Sequence, residues 1–170
     1  MVKHYIFDLD GTLYNDGVHK KNFTRADFYK NFKPNFFLKH VLDNLDGKKY
    51  IFTNGTYGHS ENTIDKLNLQ KHFYAKNTFS RDIIKGRTIL KPDNVSFDLF
   101  KQFFPQVNNG EVYFFEDTLV NLETAKQIYN WHTIYIGNRD VRHLTFVDYS
   151  FPSIEAATLH FAFKKNLNKF

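Results

Sequence analysis

The chain has 170 residues, with 23 Lys and Arg against 18 Asp and Glu and a formal net charge of +5. This length is sufficient for one domain with a buried core. The sequence contains no Cys, which excludes disulfides and thiolate metal sites, and it has no N-terminal apolar run long enough for a signal or membrane span. We therefore expect a soluble, cytoplasmic protein without membrane partners. The basic residues are dispersed, which favours a solvated surface over a polyanion-binding block.

The first half of the chain is predicted to alternate strands with helices. Residues 3–8 form an apolar strand, whereas residues 14–31 show no clean period and leave their structure open. A helix is expected from Pro34 until Gly47 stops it. Its inward residues are Phe37, Leu38, Val41, Leu42 and Leu45. The second strand covers residues 49–53, and a helix then opens at Ser60 and runs through Ile64, Leu67 and Leu69.

The second half continues the alternation. Strands are predicted at residues 79–84 (short or irregular), 111–115, 133–136 and, at a sheet edge, 146–151. Helices are predicted at residues 93–104 and 118–130, with a last one starting at Pro152 and Ser153. The inward residues are Phe97, Phe100, Phe103 and Phe104 on the former helix and Leu119, Leu122, Ala125 and Ile128 on the latter. The fold class is α/β, a Rossmann-like parallel sheet with helices on both faces and ligands at the carboxyl ends of its strands.

The first predicted strand ends in two carboxylates one residue apart, in the run YIFDLDG at residues 5–11. Side chains alternate along an extended backbone, so Asp8 and Asp10 point the same way, and Gly11 permits a sharp turn. One interpretation is a strand that ends in an ordinary Asp-Gly turn. The other is a catalytic pair, in which one carboxylate is a metal-bound nucleophile and the other a proton donor.

Three further polar segments follow later apolar runs, TNG at residues 53–55, KPD at 91–93 and ED at 116–117. Their order is the one that a phosphoryl-transfer site in a parallel sheet needs, which favours the catalytic interpretation. Together DLDGTL, IFTNG, LKPD and FFEDTLVN resemble the haloacid dehalogenase (HAD) superfamily of phosphohydrolases along nearly the whole chain. The resemblance implies one HAD-like catalytic domain over residues 1–170 with a minimal or absent cap.

The resemblance also implies catalytic roles for four residues. Asp8 would be the nucleophile that forms an aspartyl-phosphate, and Asp10 would protonate the departing oxygen and later take a proton from water. The Thr53 hydroxyl would hydrogen-bond the phosphate. Lys91 would hold Asp8 and the phosphate in one electrostatic field. Two further expectations concern the loops: Asn54 and Gly55 offer backbone amides to the phosphate, and Pro92 starts the following helix and so leaves Lys91 on its loop.

Magnesium is the cofactor that the resemblance implies. Its ligands would be the side chains of Asp8 and Asp117 and the backbone carbonyl of Asp10, with Glu116 and Asn121 supporting the metal shell. Oxygen donors without His or Cys favour Mg²⁺ over zinc or copper. Family members often carry Asp where this chain has Glu116, and the longer side chain could shift the metal or act through water. The eight histidines are interpreted as scattered and without a shared role.

Within the superfamily the closest resemblance is to pyrimidine 5'-nucleotidase-like proteins. It rests on FSRD at residues 79–82 leading to LKP at 90–92, and on FFED at 114–117 followed by NLET at 121–124. This resemblance implies a nucleoside monophosphate or similar small ester as substrate. The interval between the first two motifs is short, however, so we expect a truncated cap, with residues 14–32 either a minimal lid or stacking surface or a polar surface loop.

Three functional hypotheses follow. The first is a magnesium-dependent phosphatase for a small phosphomonoester such as a nucleotide. The second is a phosphatase for phosphoproteins or nucleic-acid ends, which an open site would admit. The third is a non-catalytic binding protein that kept the fold. Two roles are open for the aromatic, basic stretch at residues 161–170. It either packs against the domain or contributes to a homodimer.

Overall fold

The computed structural model describes residues 1–14, 25–30 and 32–167, without the side chains of residues 25–27, 75 and 164–167. Its strands are β1 Lys3–Phe7, β2 Lys48–Phe52, β3 Thr78–Phe79, β4 Glu111–Glu116, β5 His132–Ile136 and β6 Tyr149–Phe151. Its helices are α1 Arg25–Lys30, α2 Phe36–Asn44, α3 Tyr57–Leu67, α4 Asn94–Phe103, α5 Leu119–Tyr129 and α6 Ile154–Leu167. Short 3-10 turns cover Ala75–Asn77 and Pro105–Asn109. Among the described residues no helix has the length and apolarity needed to cross a bilayer.

One six-stranded sheet organises the described chain, in the order β3-β2-β1-β4-β5-β6. Every neighbouring pair is parallel. The strand that begins the chain therefore lies inside the sheet, with β2 on one side and β4 on the other, and later strands extend the sheet in both directions. This arrangement confirms the predicted Rossmann-like sheet, and it places the order reversal beside β1, where parallel sheets hold their ligands.

Two apolar clusters show that helices cover both faces of the sheet. On one face Tyr5, Phe7 and Ile51 of the strands pack with residues of α2, α3 and α6. On the other face Ile6, Phe52 and Phe114 pack with residues of α4 and α5. Strand residues alternate between the clusters because successive side chains point to opposite faces. Phe supplies much of the buried volume, as the composition predicts, and several rings meet edge to face, for example Phe52 against Phe97 with centroids 5.0 Å apart.

The helix expected from Pro34 to Gly47 is shorter than predicted at both ends. It begins after Asn35, whose side chain accepts a hydrogen bond from the Leu38 backbone amide at 2.9 Å, and its inward residues include Leu38, Val41 and Leu42. Phe37 is 54% exposed, so its predicted inward position is wrong. Gly47 does not end the helix. It lies where a Cβ would be 2.6 Å from the Lys3 carbonyl oxygen, so the absent side chain lets the chain enter β2 close against β1.

The predicted start of α3 is also wrong, by one helical turn. Thr56 caps the helix by accepting a hydrogen bond from the His59 amide at 3.3 Å, so the helix begins at Tyr57 instead of Ser60. It ends at Leu67, and Asn68 follows in the left-handed conformation. Leu69 therefore lies beyond the helix, although it is fully buried.

Three other predictions about helices need correction. Phe103 and Ile128 are 48% and 54% exposed, whereas Phe97, Phe100, Leu122 and Ala125 are buried as predicted. The buried face of each helix is narrower than the apolar pattern suggests, because each helix packs on the sheet through one stripe of residues. Pro92 does not start α4: Asp93 caps the helix by accepting from the Val95 amide at 2.9 Å, and the helix begins at Asn94.

The structure contains the predicted C-terminal strand and helix. The predicted edge strand is present as β6, and Phe161, the first residue of the predicted tail, lies in α6 and is 8% exposed. Residues 168–170 lie outside the described chain.

Of the segment 14–32, the structure describes Tyr14, α1 and Phe32, and residues 15–24 and 31 lie outside the described residues. Its role as a minimal cap therefore stays a prediction.

Candidate active site

The four predicted polar segments meet at one edge of the sheet. Asp8 follows β1 directly, Thr53 follows β2, and Glu116 and Asp117 end and follow β4. Because β1 pairs in parallel with both β2 and β4, their carboxyl ends lie side by side. Lys91 reaches the same place from the loop before α4, as the sequence predicts. The strand order thus brings together residues that are more than a hundred positions apart.

Lys91 lies between two carboxylates at the bottom of the site. Its Nζ donates to Asp8 Oδ1 at 2.8 Å and to Glu116 Oε2 at 2.6 Å. Asp8, Lys91 and Glu116 are 6%, 3% and 1% exposed, so all three charged groups are buried. The Lys91 ammonium also lies 5.0 Å from the ring centroid of Phe52 and 5.2 Å from that of Phe114. We call Asp8, Lys91 and Glu116 the buried trio.

The electrostatics of the buried trio favour a cation on Lys91 and disfavour charge on Asp8. Burial and then the neighbouring charge of Glu116 raise the pKa of Asp8 well above its ordinary value, although Lys91 works in the opposite direction. Burial works to lower the pKa of Lys91, but Asp8 and Glu116 outweigh it, and the pKa is raised. A second cation near Asp8 would therefore lower its pKa and favour its ionised, nucleophilic form.

Glu116 is saturated with hydrogen-bond donors. Its Oε2 accepts from Lys91 Nζ at 2.6 Å and from Asn121 Nδ2 at 2.9 Å. Its Oε1 accepts from the backbone amides of Asp117 at 3.1 Å and Thr118 at 3.0 Å. A carboxylate offers about four acceptor sites, and these contacts use them all. Glu116 therefore holds Lys91 and the start of α5 in place, and the geometry gives it a supporting role beside a metal.

The acidic groups of the site fit a magnesium ion, with Glu116 in a supporting position. Carboxylate oxygens of Asp8, Glu116 and Asp117 all lie within 4.8 Å of one another. Gly11 makes room for this arrangement, because a Cβ there would lie 2.4 Å from Asp117 Oδ2. The buried Oδ1 of Asn121 has no hydrogen-bond partner in the described structure, so one more oxygen acceptor is available at the same place. A set of oxygen donors with net negative charge is the chemistry that Mg²⁺ prefers.

The loop after β2 positions Lys91 through a side chain. Asn54 Oδ1 accepts from the Lys91 backbone amide at 2.7 Å, and Asn54 Nδ2 donates to the Lys91 carbonyl oxygen at 2.9 Å. The Gly55 amide donates to Thr53 Oγ1 at 2.8 Å. Thr53 is 1% exposed and lies beneath the site. The structure thus brings Thr53, Asn54 and Gly55 to the predicted place and adds a role for Asn54 that the sequence did not indicate.

Asp10 lies at the rim of the site, in a cluster that the sequence analysis missed in part. Its Oδ1 accepts from the Tyr14 hydroxyl and lies 2.6 Å from His59 Nε2. His59 Nδ1 in turn lies 2.6 Å from the hydroxyl of Tyr29 on α1. The His59 and Asp10 side chains are 17% and 25% exposed. We call Asp10, Tyr14, Tyr29 and His59 the rim cluster.

His59 is the residue that sequence reasoning overlooked. A helix start at Ser60 leaves His59 in the preceding loop, whereas the Thr56 cap places it in the first turn of α3, facing Asp10. Recognising Thr56 as the N-cap, with its side chain accepting from the amide three residues later, would have identified the position.

A cavity of about 840 Å³ opens above these groups. Its polar lining includes Asp8, Asp10, Asp117 and Asn121, and its aromatic wall consists of Phe28, Tyr29 and His59. The Phe28 and Tyr29 rings lie 5.7 Å and 5.8 Å from the His59 ring, centroid to centroid. Arg81, which is exposed, supplies a cation to the same cavity. The site thus combines acidic groups at its base with aromatic and cationic surface at its mouth.

Comparison with known proteins identifies the fold. No protein-family profile matches the sequence, and no curated protein sequence matches it. The L-2-haloacid dehalogenase from Xanthobacter autotrophicus, solved with chloropropionic acid covalently bound, aligns with a TM-score of 0.67 at 14% identity over 94% of this chain and 98% of that one. A putative phosphoglycolate phosphatase from Lactobacillus plantarum gives 0.62 at 16% identity, over 95% of this chain and all of that one (100%).

A third structure, a HAD phosphatase from Thermococcus onnurineus, gives a TM-score of 0.61 at 16% identity, over 92% of this chain and 96% of that one. These proteins differ in the reactions that their names describe, and the identities are low, so the likeness concerns the fold. The chain therefore has the HAD-like fold, as the resemblance in sequence predicted.

Proposed function

We propose that the protein is a magnesium-dependent phosphatase that hydrolyses a phosphomonoester through an aspartyl-phosphate on Asp8. The observation that carries the proposal is the buried trio, in which Lys91 bridges Asp8 and Glu116 at the base of an acidic cavity. A purely structural ion pair gains little from burial at a cavity floor, whereas a nucleophilic carboxylate there needs a fixed cation beside it. The HAD-like fold supports the proposal because two of the similar structures are described as phosphatases.

The chemistry has two steps, each with a balanced transfer. In the first, an oxygen of Asp8 bonds to phosphorus, the bond from phosphorus to the leaving oxygen breaks, and Asp10 gives its proton to that oxygen. In the second, Asp10 takes a proton from water, the water oxygen bonds to phosphorus, and Asp8 leaves as a carboxylate. Lys91 stabilises the charge on Asp8 and the phosphoryl group. The Thr53 hydroxyl, which accepts from the Gly55 amide, would donate to one phosphoryl oxygen, and the Asn54 backbone amide would donate to another.

Asp8 and Asp117 would hold the magnesium ion with the backbone carbonyl of Asp10, and Asn121 and Glu116 would support them. When bound, the ion supplies positive charge that offsets the repulsion between the acidic cavity and a phosphate dianion. The raised pKa of Asp8 supports this requirement, since the ionised nucleophile is disfavoured in the protein alone.

The substrate we propose is a small phosphomonoester with a planar group, such as a nucleoside monophosphate, in keeping with the pyrimidine 5'-nucleotidase-like resemblance. Phe28 and Tyr29 offer ring surface on which a base can stack, and Arg81 offers a cation at the cavity mouth. A cavity of about 840 Å³ is large enough for a ligand of that size. A phosphorylated protein or nucleic-acid end is the alternative that a short cap would admit.

Phosphate release from a substrate panel tests the proposal. The panel contains nucleoside monophosphates, sugar phosphates, a phosphopeptide and a 5'-phosphorylated oligonucleotide, each with Mg²⁺ and with chelator, and chloride release from 2-chloropropionate is measured in parallel. We expect Mg²⁺-dependent release, fastest from a nucleotide, that Asp8→Asn abolishes. The exposed Asp65→Asn on α3 is the matched control and should leave the rate unchanged.

Two results would contradict the proposal. Release of chloride without release of phosphate would make the protein a dehalogenase. Failure of the folded protein to act on any ester, with bound Mg²⁺ demonstrated, would favour a binding role. Preference for the phosphopeptide or the oligonucleotide would retain the phosphatase and replace the substrate class.

A further inference from the structure

We infer that His59 is a positioning residue for Asp10 and that Tyr29 of α1 holds His59 for this task. The inference rests on the proposed phosphatase function, because it concerns how the proton donor of that reaction is oriented. It assigns a role to a histidine outside the sequence motifs and connects the segment before α2 to the reaction.

The rim cluster holds the Asp10 carboxyl group at Oδ1. Oδ1 accepts from the Tyr14 hydroxyl and lies 2.6 Å from His59 Nε2, so it is held from two directions. Gly55, in the loop after β2, lies beside the same groups: a Cβ there would be 3.0 Å from His59 Cδ2 and 3.3 Å from Asp10 Oδ2.

A carboxyl group held in this way suits a general acid. A proton donor must lie within hydrogen-bond reach of the leaving oxygen, and a carboxyl group that rotates freely presents its proton there only part of the time. The contacts of Tyr14 and His59 with Oδ1 restrict the rotation of this carboxyl group. His59 thus acts through Asp10 and has no contact with the substrate in this role.

Tyr29 completes the arrangement from α1. An imidazole that donates from Nε2 to Asp10 accepts at Nδ1, and the Tyr29 hydroxyl lies there at 2.6 Å. A ring with its proton on Nε2 satisfies both contacts and links Tyr29 to Asp10 through His59. The ring is also fixed by packing, since Phe28 and Tyr29 both lie against it. Fixing a group that orients a reacting residue is a general feature of catalytic sites.

The test compares two phosphate esters that differ in how much they need an acid. An alkyl ester such as a nucleoside monophosphate expels an alkoxide that must be protonated, whereas p-nitrophenyl phosphate expels a stable phenolate. We expect His59→Ala to lower kcat/KM for the alkyl ester by about 100-fold and for the aryl ester by less than about 10-fold, because general acid catalysis contributes on the order of 100-fold or more. His40→Ala, an exposed histidine on α2, is the matched control and should change neither value.

A second variant tests the part played by Tyr29. Tyr29→Phe removes only the hydroxyl that contacts His59, and we expect it to lower kcat/KM for the alkyl ester by about 5-fold with the same preference for the aryl ester. Because Tyr29 acts through His59, the double variant should lose no more than His59→Ala alone. Losses that multiply in the double variant would overturn the role of Tyr29.

Equal fractional losses on the two esters in His59→Ala would overturn the inference, since they would indicate a general disturbance of the site. That result is distinguishable from failure of the proposed function. If the wild-type protein hydrolyses both esters and Asp8→Asn hydrolyses neither, the phosphatase stands whatever His59 does. If the folded wild-type protein hydrolyses neither ester, the proposed function fails and the role of His59 fails with it.

Discussion

The buried trio contains Asp8 and the rim cluster contains Asp10, two positions further along the chain, but the surroundings of the two groups differ. Lys91 and Glu116 are 3% and 1% exposed, whereas the side chains of Asp10 and His59 are 25% and 17% exposed. In the buried trio Lys91 donates to the carboxyl groups of Asp8 and Glu116, and Glu116 also accepts from backbone amides. In the rim cluster the contacts are between a carboxyl group, hydroxyls and an imidazole, within reach of water.

The difference indicates what each region contributes. Charges that are buried and paired are costly to separate, so the buried trio should dominate both stability and the environment of the nucleophile. Groups that water still reaches are cheaper to alter, so the rim cluster should affect the reaction more than the fold. Changes in the two regions should therefore differ in how strongly they alter the free energy of unfolding.

Lys91→Met should have the largest effect. It leaves Asp8 and Glu116 buried without their shared cation, and removal of one partner from a buried ion pair typically costs about 3–5 kcal/mol. The loss should grow with pH. The pKa of Asp8 is already raised in the folded protein and rises further without Lys91. Below the raised wild-type pKa Asp8 is protonated in both folded proteins, so the extra penalty of the variant appears only as the pH rises above that value.

Urea unfolding at several pH values measures this effect, and the exposed Lys85→Met is its control. A loss below about 1 kcal/mol at neutral pH would mean that the buried trio is not the electrostatic centre of the site.

Magnesium should stabilise the wild-type protein and fail to stabilise Asp117→Asn. A ligand at a hundredfold excess over its Kd adds about 2.7 kcal/mol to the free energy of unfolding if it binds only the folded state. Asp117 is partly exposed and lies within 4.8 Å of the other two carboxylates, so its substitution should remove the ion with little direct cost. Thermal unfolding with Mg²⁺ and with chelator measures the difference. Equal stabilisation of both proteins would place the ion elsewhere.

Glu116→Gln should cost about 2 kcal/mol in the absence of metal, because an amide nitrogen then faces donors where a carboxylate oxygen accepted from them. The prediction separates Glu116 from Asp117, its neighbour in sequence, whose conversion to the amide should cost much less. Chemical unfolding of the two variants in chelator provides the comparison. If Asp117→Asn proved the more damaging to stability, Glu116 would not be the structural member of the acidic pair.

Tyr14→Phe should have the smallest effect on stability, about 1 kcal/mol, since it removes one hydroxyl from a partly exposed hydrogen bond to Asp10. Its effect on turnover should be larger in proportion, because the same bond orients the proton donor. The exposed Tyr74→Phe is the control. A loss of stability comparable to that of Lys91→Met would contradict the contrast between the two regions.

The same contrast explains what the sequence could predict. Asp8, Thr53, Lys91 and Asp117 each follow an apolar strand or lie on a loop at the sheet edge, and a parallel sheet brings such positions together whatever its helices do. The strands and the order of elements were predictable for the same reason. The periodicity of apolar residues predicted wider buried faces on the helices than the structure has, because periodicity alone does not show which side of a helix meets the sheet. Examples are the exposed residues Phe37, Phe103 and Ile128.

The rim cluster could not be predicted in the same way. His59 reaches Asp10 only because the Thr56 cap starts α3 one turn earlier than the apolar pattern suggests. Tyr29 reaches His59 only because α1 packs against α3, a tertiary contact with no signal in local sequence. The pairing of Glu116 with Lys91 likewise became visible only in the structure, since a strand-end carboxylate could equally have been a metal ligand.

Acid-quenched mass spectrometry during turnover of a nucleoside monophosphate shows directly whether Asp8 is the nucleophile. The protein is mixed with substrate and Mg²⁺, quenched in acid, digested and searched for a phosphoryl group on the peptide that carries Asp8, with Asp8→Asn treated in parallel. We expect a phosphorylated Asp8 in the wild-type protein and neither adduct nor phosphate release in the variant. Sustained phosphate release with no adduct on Asp8, or release that survives in Asp8→Asn, would contradict it.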